Sequence, residues 1–214
     1  MKEHKCLQKS DEWFNIRRGK ITGSRYADLK GTAAKRKKLL YKIAGERITG
    51  LRTDSDIASN IHIIRGNEQE DSARLYYEMI TGRTVKQIGF VELDKETGCS
   101  PDGKISKDGG LEIKCPDIPG FLVVRHTKKI PSKDIPQMEL CLYVTGRKWW
   151  DYACYNESYD DPIVIIRVIR QEENMEQVAI DIERANKDIN EIVQSCKRGA
   201  INGTIKNEIQ ESAK

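Results

Sequence analysis

The order of apolar and polar positions divides the chain into helical and strand-like segments. Asp11 to Arg18 reads as a short helix, stopped at Gly19. Ser24 stands where it can cap a second short helix ending near Gly31. Thr32 stands where it can cap a third, running to about Ile48 with Leu39, Leu40 and Ile43 on one buried stripe. Leu51 to Asn60 is polar and predicts a loop. From Gly66 to Ile80 the period is helical again, with Ala73, Tyr76, Tyr77 and Ile80 at i, i+3, i+4 and i+7, and Gly82 ends the run. Three strand-like runs follow: Val85 to Asp94, Cys99 to Ser106 and Leu111 to Cys115. The turn Asp108-Gly109-Gly110 joins the last two as a hairpin. Ser132 to Thr145 predicts a helix with Pro136 tolerated in its first turn and Gly146 as its stop. Trp149 to Tyr155 and Ile163 to Ile169 are two more strands. A long amphipathic helix closes the pattern, with Met175, Val178, Ile182, Ala185, Ile189, Ile192 and Cys196 on one stripe. The last dozen residues are polar and are expected to fray.

This order predicts an α/β chain with a central mixed β-sheet flanked by helices. It lacks the strict strand–helix alternation of a doubly wound dinucleotide fold. At 214 residues one domain is expected. Hydrophobic residues at 38% and charged residues at 33% describe a folded chain with a polar surface. No apolar run reaches the about 18 residues that a membrane span needs. The start, Met1-Lys2-Glu3-His4-Lys5-Cys6, has no apolar stretch of a secretory signal. Six cysteines without a C-x-x-C pair then point to free thiols and a cytoplasmic location.

Charge changes the picture little. Lys plus Arg is 37 against 33 Asp plus Glu, a net charge of +4 that permits a nucleic-acid partner without demanding one. The run Lys35-Arg36-Lys37-Lys38 is either a solvated helix face or a contact to a DNA backbone. The three histidines are scattered, so a metal would sit on carboxylates, which points to a hard cation such as Mg²⁺.

The informative chemistry lies in Ser100-Pro101-Asp102 and in Leu111-Glu112-Ile113-Lys114. Alternation in a strand gives Leu111, Ile113 and Cys115 one apolar face and throws Glu112 and Lys114 to the other. Register decides where Asp102 points. A five-residue loop from Ser106 to Gly110 sets it opposite Lys114 and diagonal to Glu112, about 7–8 Å away. A four-residue loop turns it to the other face. Two carboxylates facing one site repel each other, and a divalent cation between them removes the repulsion. Such a metal acidifies a water and stabilises charge on a phosphate, while a neighbouring lysine orients that water or neutralises charge. The plainer reading is an exposed strand face with a Glu–Lys pair and an aspartate at a turn.

Asp102 followed by Glu112-x-Lys114 resembles the PD-(D/E)XK nuclease superfamily. The wider pattern is Trp13-x-x-x-Arg17-x-Gly19-x-Ile21-Thr22-x-Ser24, Gly66-x-x-x-Glu70, Gly98-Cys99-Ser100-Pro101-Asp102-Gly103, Gly110-Leu111-Glu112-Ile113-Lys114-Cys115-Pro116, Gln137 and Trp150-x-Tyr152. It resembles the lambda-type phage exonucleases, or viral recombinases, in the family's order over about two-thirds of the chain. The resemblance implies a restriction-endonuclease-like core, with one nuclease domain over 1–214, its core at about 10–170 and C-terminal helices at about 171–214. It makes Asp102, Glu112 and the Ile113 carbonyl metal ligands and sets Lys114 beside the attacking water. Glu70 lines the site from the long helix, and Gln137 supports the lysine or the water. Arg17 and Ser24 hold the 5′-phosphate of a DNA end, a role that suits an arginine fork and a serine at a helix start.

The activity implied is a Mg²⁺-dependent 5′→3′ exonuclease on linear double-stranded DNA, with Mn²⁺ as a possible substitute. It makes 3′ single-stranded overhangs for a single-strand annealing protein and works as a homotrimeric ring. An endonuclease or repair nuclease on the same fold, or a non-catalytic DNA-end-binding module, are the alternatives. A further family aspartate corresponds most nearly to Asp94. His126, Lys128 and Lys129, in the short connection from Asp117 to Pro131, are either DNA contacts or ordinary loop charges.

Overall fold

Five strands form the central sheet of the computed structural model, in the order β2 (Val85–Lys86), β5 (Gly103–Ile105), β6 (Gly109–Lys114), β7 (Trp149–Tyr155) and β8 (Ile163–Ile169). The structure describes residues 1–53 and 61–198, with side chains for all of these except 61–68 and 198. Neighbours are antiparallel except β6 and β7, which run parallel and so make the sheet mixed. A parallel pair needs a crossover, and two helices supply it: α5 (Ile118–Thr127) and α6 (Ile135–Thr145). A smaller antiparallel sheet joins β1 (Lys2–His4), β3 (Phe90–Glu92) and β4 (Gly98–Cys99). The remaining helices are α1 (Asp11–Arg17), α2 (Gly23–Leu29), α3 (Ala33–Thr49), α4 (Ile61–Thr81) and α7 (Glu172–Arg198). Among the described residues no helix is long and apolar enough to cross a membrane.

Strand alternation distributes β7 between two cores. Trp150, Tyr152 and Cys154 join a large cluster with α2, α3, α6 and α7. Ala153 and Tyr155 join a smaller one with Leu111 and Ile113 of β6 and with Ala73 and Tyr77 of α4. Glu112 pairs in register with Tyr152, so its side chain takes the α6 side of the sheet. Cys115 packs partly buried beside Leu111 and Ile113, as the alternation predicts.

Several elements depart from the sequence pattern, each for a local reason. The runs Val85 to Asp94 and Cys99 to Ser106 are each split between the two sheets. At Gly89 a β-carbon would lie 2.1 Å from the Cys6 carbonyl oxygen, so the chain passes too close to its own N-terminal segment to continue a strand. In the second run, Pro101 lacks the N–H that a ladder needs, and Asp102 is left at the mouth of β5. The hairpin is also tighter than the five-residue loop. Ile105 faces Gly109, so three residues turn the chain, Ser106 adopting a left-handed φ of 48°. Gly109 and Gly110 are therefore strand residues. A β-carbon on Gly109 would lie 2.1 Å from Trp149 Cζ2, and one on Gly110 2.3 Å from Trp150 Cε3. The glycines are there because indoles lie on them.

Ser24 does not cap α2. Thr22 occupies the cap position and its hydroxyl makes no capping bond, leaving Ser24 as the second helical residue. Thr22 Oγ1 is engaged by Arg17 instead. Asp117 to Pro131 contains α5, capped by Asp117, whose carboxylate accepts the Gly120 N–H. On α4 Ile80 is exposed rather than buried, and on α7 Val193 takes the inward position assigned to Cys196. The predicted loop from Leu51 to Asn60 lies, from residue 54 onward, outside the described residues, as does the tail after Arg198.

The turn between α1 and α2 is braced from α3. The buried Glu46 carboxylate accepts from Arg25 Nη1 at 2.8 Å, Arg25 Nη2 at 2.7 Å, the Gly19 N–H at 2.7 Å and the Thr53 hydroxyl at 2.7 Å. Arg47 Nε donates to the Gly19 carbonyl at 2.8 Å. Burial by itself pushes the Glu46 carboxyl up, but the Arg25 bonds and charge, with the Gly19 and Thr53 donors, outweigh it and hold it below its ordinary value. Glu46 therefore stabilises the fold above the ordinary carboxyl value of 4.5, and that contribution is lost as pH falls through the lowered one. Glu46→Gln should cost about 3 kcal/mol at neutral pH, because the buried Arg25 guanidinium loses the charge of its bidentate partner. Thermal melts along a pH series should show the gap between wild type and variant closing in acid. A gap that stays constant to about pH 3 refutes this assignment.

Candidate active site

One cavity of about 500 Å³ is lined by the eight residues to which the resemblance gives a ligand, catalytic or phosphate-binding role: Arg17, Ser24, Glu70, Asp102, Glu112, Ile113, Lys114 and Gln137. They come from five elements and from the bend before β5. Strand β6 supplies Glu112, Ile113 and Lys114, α4 supplies Glu70, α6 supplies Gln137, and α1 and α2 supply Arg17 and Ser24.

The centre is a pair of buried carboxylates. The observed register runs Gly103 against Leu111, so Asp102 lies level with Glu112, not with Lys114 as the longer loop requires. The shift is two residues, which preserves the face. Asp102 Oδ2 accepts the Ile113 N–H at 2.7 Å. Glu112, with its side chain only 1% exposed, accepts through Oε1 from Gln137 Nε2 at 2.6 Å and from Lys114 Nζ at 2.5 Å. Gln137 Oε1 in turn accepts from Lys114 Nζ at 3.3 Å, so the amide bridges the carboxylate and the ammonium. Glu112 Oε2 is buried with no hydrogen-bond partner. A buried carboxylate oxygen in that state is costly.

The electrostatics follow from burial. Asp102 is held well above its ordinary value by burial first, then by the charges of Glu112 and Glu70. Glu112 is raised by burial, with Asp134 and Glu70 adding to it and Lys114 opposing. Burial works against the Lys114 ammonium, but Glu112 and Asp102 outweigh it and hold the lysine protonated. Two carboxylates short of counter-charge, one with a bare inward oxygen, make a donor set that fits a hard divalent cation. Among the described residues no three His, Cys, Asp or Glu side chains form a metal-binding group. A cation here would have to draw on two carboxylates and on neutral oxygens such as a backbone carbonyl.

The opposite wall is built around Arg17. Its Nη1 donates to Ser100 Oγ at 3.0 Å, and its Nη2 to Thr22 Oγ1 at 3.3 Å and Ser24 Oγ at 3.4 Å. The guanidinium stacks 3.9 Å above the Trp13 ring. The Trp13 indole N–H donates to Ser100 Oγ at 2.9 Å and to the Gly89 carbonyl at 3.0 Å. Gly23 lies against Gln137, where a β-carbon would stand 3.0 Å from Gln137 Cγ, so the two walls meet through that contact.

Lys9, Asp134 and Tyr152 also line the cavity. Tyr152 donates to Asp134 Oδ2 at 3.1 Å. Sequence reasoning gave none of them a role. Asp134 stands at the start of α6 without a capping bond from its side chain, inside the helix that the sequence pattern begins at Ser132, and nothing local marks Lys9. Asp94 is not part of the site. It is exposed in the β3–β4 turn, where its carboxylate accepts the Glu96 N–H. His126, Lys128 and Lys129 are exposed at the end of α5 and beyond it, and none lines the cavity.

The family of YqaJ-like viral recombinase domains has a sequence model that matches residues 12–148. No curated protein matches the chain. Among solved structures, an alkaline exonuclease (LHK-Exo) from Laribacter hongkongensis is 30% identical, with a TM-score of 0.83 over 89% of this chain and 98% of that one. The same exonuclease in complex with dAMP gives the same values, 30% and 0.83. A phage-related exonuclease from Haemophilus somnus 129PT, 15% identical with a TM-score of 0.67 over 83% of this chain and 96% of that one, shares the fold. With the family's model matching more than half its length, the chain belongs to the family of YqaJ-like viral recombinase domains.

Proposed function

We propose that the protein is a Mg²⁺-dependent DNA exonuclease that digests one strand of linear duplex from its 5′ end and leaves 3′ single-stranded overhangs for an annealing partner. The observation that carries this reading is the bare, buried Glu112 Oε2 beside Asp102, in the same cavity as the Arg17 and Ser24 wall. Membership of the recombinase family and the likeness to an alkaline exonuclease support it.

Asp102, Glu112 and the Ile113 carbonyl are the proposed ligands of Mg²⁺, with Mn²⁺ able to take the same oxygen donors. Bound there, the ion supplies charge stabilisation to the phosphate and lowers the pKa of a water. The chain's own groups do the rest. Lys114, protonated and tied to Glu112, orients the attacking water and offsets the negative charge that develops. Gln137 holds that lysine and Glu112 at fixed separation, and Glu70 flanks the site from α4. Arg17 and Ser24 receive the terminal 5′-phosphate, which carries more charge than an internal diester and so favours a guanidinium fork. One nuclease domain acts from each chain, and three chains close into a ring.

The deciding assay is digestion of end-labelled linear duplex with a nicked circle as control. Mononucleotides released from 5′ ends support the reading, and cuts within the circle's intact strand point to an endonuclease. Asp102→Asn and Glu112→Gln should abolish cleavage in Mg²⁺ while duplex binding persists, because phosphate contacts elsewhere supply the affinity. Lys114→Ala should slow turnover by on the order of 10²-fold or more with Mg²⁺ affinity kept. Cleavage near the wild-type rate in either carboxylate variant refutes the metal site.

A 5′-phosphorylated end should be digested faster than a 5′-hydroxyl end. Arg17→Ala should remove most of that difference, since a hydrogen bond to a charged group is worth about 1.5–3 kcal/mol. Equal slowing of both substrates, with a lower melting temperature, makes Arg17 a structural brace instead. Light scattering on the active protein should give about three times the 24.5 kDa chain mass. A monomer with full activity removes the ring.

A further inference from the structure

Between Asp117 and Asp134 the chain carries Arg125, His126, Lys128, Lys129 and Lys133 and no acidic residue. This is the crossover from β6 to β7, made of α5 and its connection to α6. Arg125 is committed elsewhere, its Nη2 lying 3.2 Å from Asp161 Oδ2. Lys128, Lys129 and Lys133 are exposed, and among the described residues their ammonium groups make no hydrogen bond or ion pair. Three like charges held so close in sequence repel one another, so the fold itself gains nothing from them.

The helix beside them is apolar where it meets solvent. Phe121 and Val124 face the core. Ile118, Leu122 and His126 recur at i, i+4 and i+8 on the opposite side, with Val123 next to them. Ile118 is 47% exposed, Leu122 46% and Val123 58%. A helix packed on a core ordinarily turns polar side chains to water. This one turns three branched apolar ones outward, next to the free lysines.

The surface runs on from the active site. Gly120, Val124, Pro131 and Lys133 line the same cavity as Asp102 and Glu112. Whatever leaves the cavity on this side meets lysines and apolar side chains together. A DNA duplex presents its phosphates and keeps its base faces stacked inside. An unpaired strand offers phosphates and base faces at once, which is the chemistry this surface complements. The cut strand has its place at Arg17 and the carboxylates, whereas the strand left uncut has none.

We propose that the outer face of α5 and the Lys128 to Lys133 connection bind the uncut strand as it becomes single-stranded, with the lysines on its phosphates and Ile118, Leu122 and Val123 against its unpaired bases. The proposal rests on the exonuclease reading, which is what puts a newly unpaired strand beside this cavity.

The test is equilibrium binding in metal-free buffer, read by fluorescence anisotropy across a salt series. Two 5′-phosphorylated duplexes are compared, one blunt and one with a 3′ overhang of about 12 nucleotides, within the span of a single-strand site. The overhang should raise wild-type affinity and steepen its salt dependence. Each phosphate contact on a single strand contributes about 0.7 to the slope of log affinity against log salt. Lys128→Gln, Lys129→Gln and Lys133→Gln combined should therefore make the overhang slope about 2 less negative and leave the blunt slope unchanged. Leu122→Ser should weaken overhang binding without changing the slope, and an overhang of abasic nucleotides should abolish that effect while keeping the effect of the lysines. The melting temperature of both variants should hold, since every altered side chain is exposed.

Equal slope losses on the two duplexes make the lysines duplex contacts and overturn the proposal. Unchanged binding of both makes them solvated charges, which overturns it too. A lower mass by light scattering for Leu122→Ser makes the α5 face an interface between copies of the chain, with the same consequence. If the overhang binds as expected but duplex ends are never digested, the exonuclease reading fails and the strand-binding surface stands. If ends are digested and the overhang adds no affinity, the surface fails and the exonuclease reading stands.

Discussion

Placing two carboxylates side by side in a buried hairpin is the constraint on which the rest of this structure turns. Burial raises the proton affinity of both Asp102 and Glu112, and the Glu112 charge raises that of Asp102 further. The fold offsets part of that cost with one backbone N–H, one lysine and one amide. It leaves a carboxylate oxygen bare. An apolar hairpin in the same place would be the more stable choice, since a buried polar group without a partner destabilises the protein around it. The site persists because the packing beneath it is over-determined.

That packing is visible in the two tryptophans under β6. Trp149 and Trp150 lie so close to Gly109 and Gly110 that no side chain fits between them. The indoles cover the two glycines from opposite faces of the sheet, and β6 pairs with β7 in the register that sets Glu112 level with Tyr152. Pro101 ends the preceding ladder where Asp102 must turn inward. Helix α6 then brings Gln137 down on the pair, and the missing β-carbon at Gly23 lets α2 approach the same amide. The carboxylate pair and the Arg17 wall are joined a second time through Ser100. Its hydroxyl accepts from both Trp13 and Arg17, two residues ahead of Asp102. The Glu46–Arg25 pair and Arg47 hold the α1–α2 turn from behind, so the position of Arg17 depends on α3 as well as on its own helix.

The sequence by itself determined the local elements and the chemical inventory. The 3.6-residue period located α3, α6 and α7, and period-two alternation located β7 and β8 to the residue. It also put Glu112 and Lys114 on one face, because side-chain direction within a strand depends on nearest neighbours alone. The motif residues Asp102, Glu112, Lys114, Glu70, Gln137, Arg17 and Ser24 all came to one cavity. What only the tertiary structure decided depends on contacts distant in sequence. The hairpin turned in three residues because indoles forty positions away claimed the glycines. Thr22 displaced Ser24 at the cap of α2 while its own hydroxyl went to Arg17. Two predicted strands divided between sheets because Gly89 runs against Cys6 and Pro101 cannot donate. Lys9 carried no signal at all, and its place beside Glu70 at the edge of the cavity came from the fold, because the two residues are sixty-one positions apart.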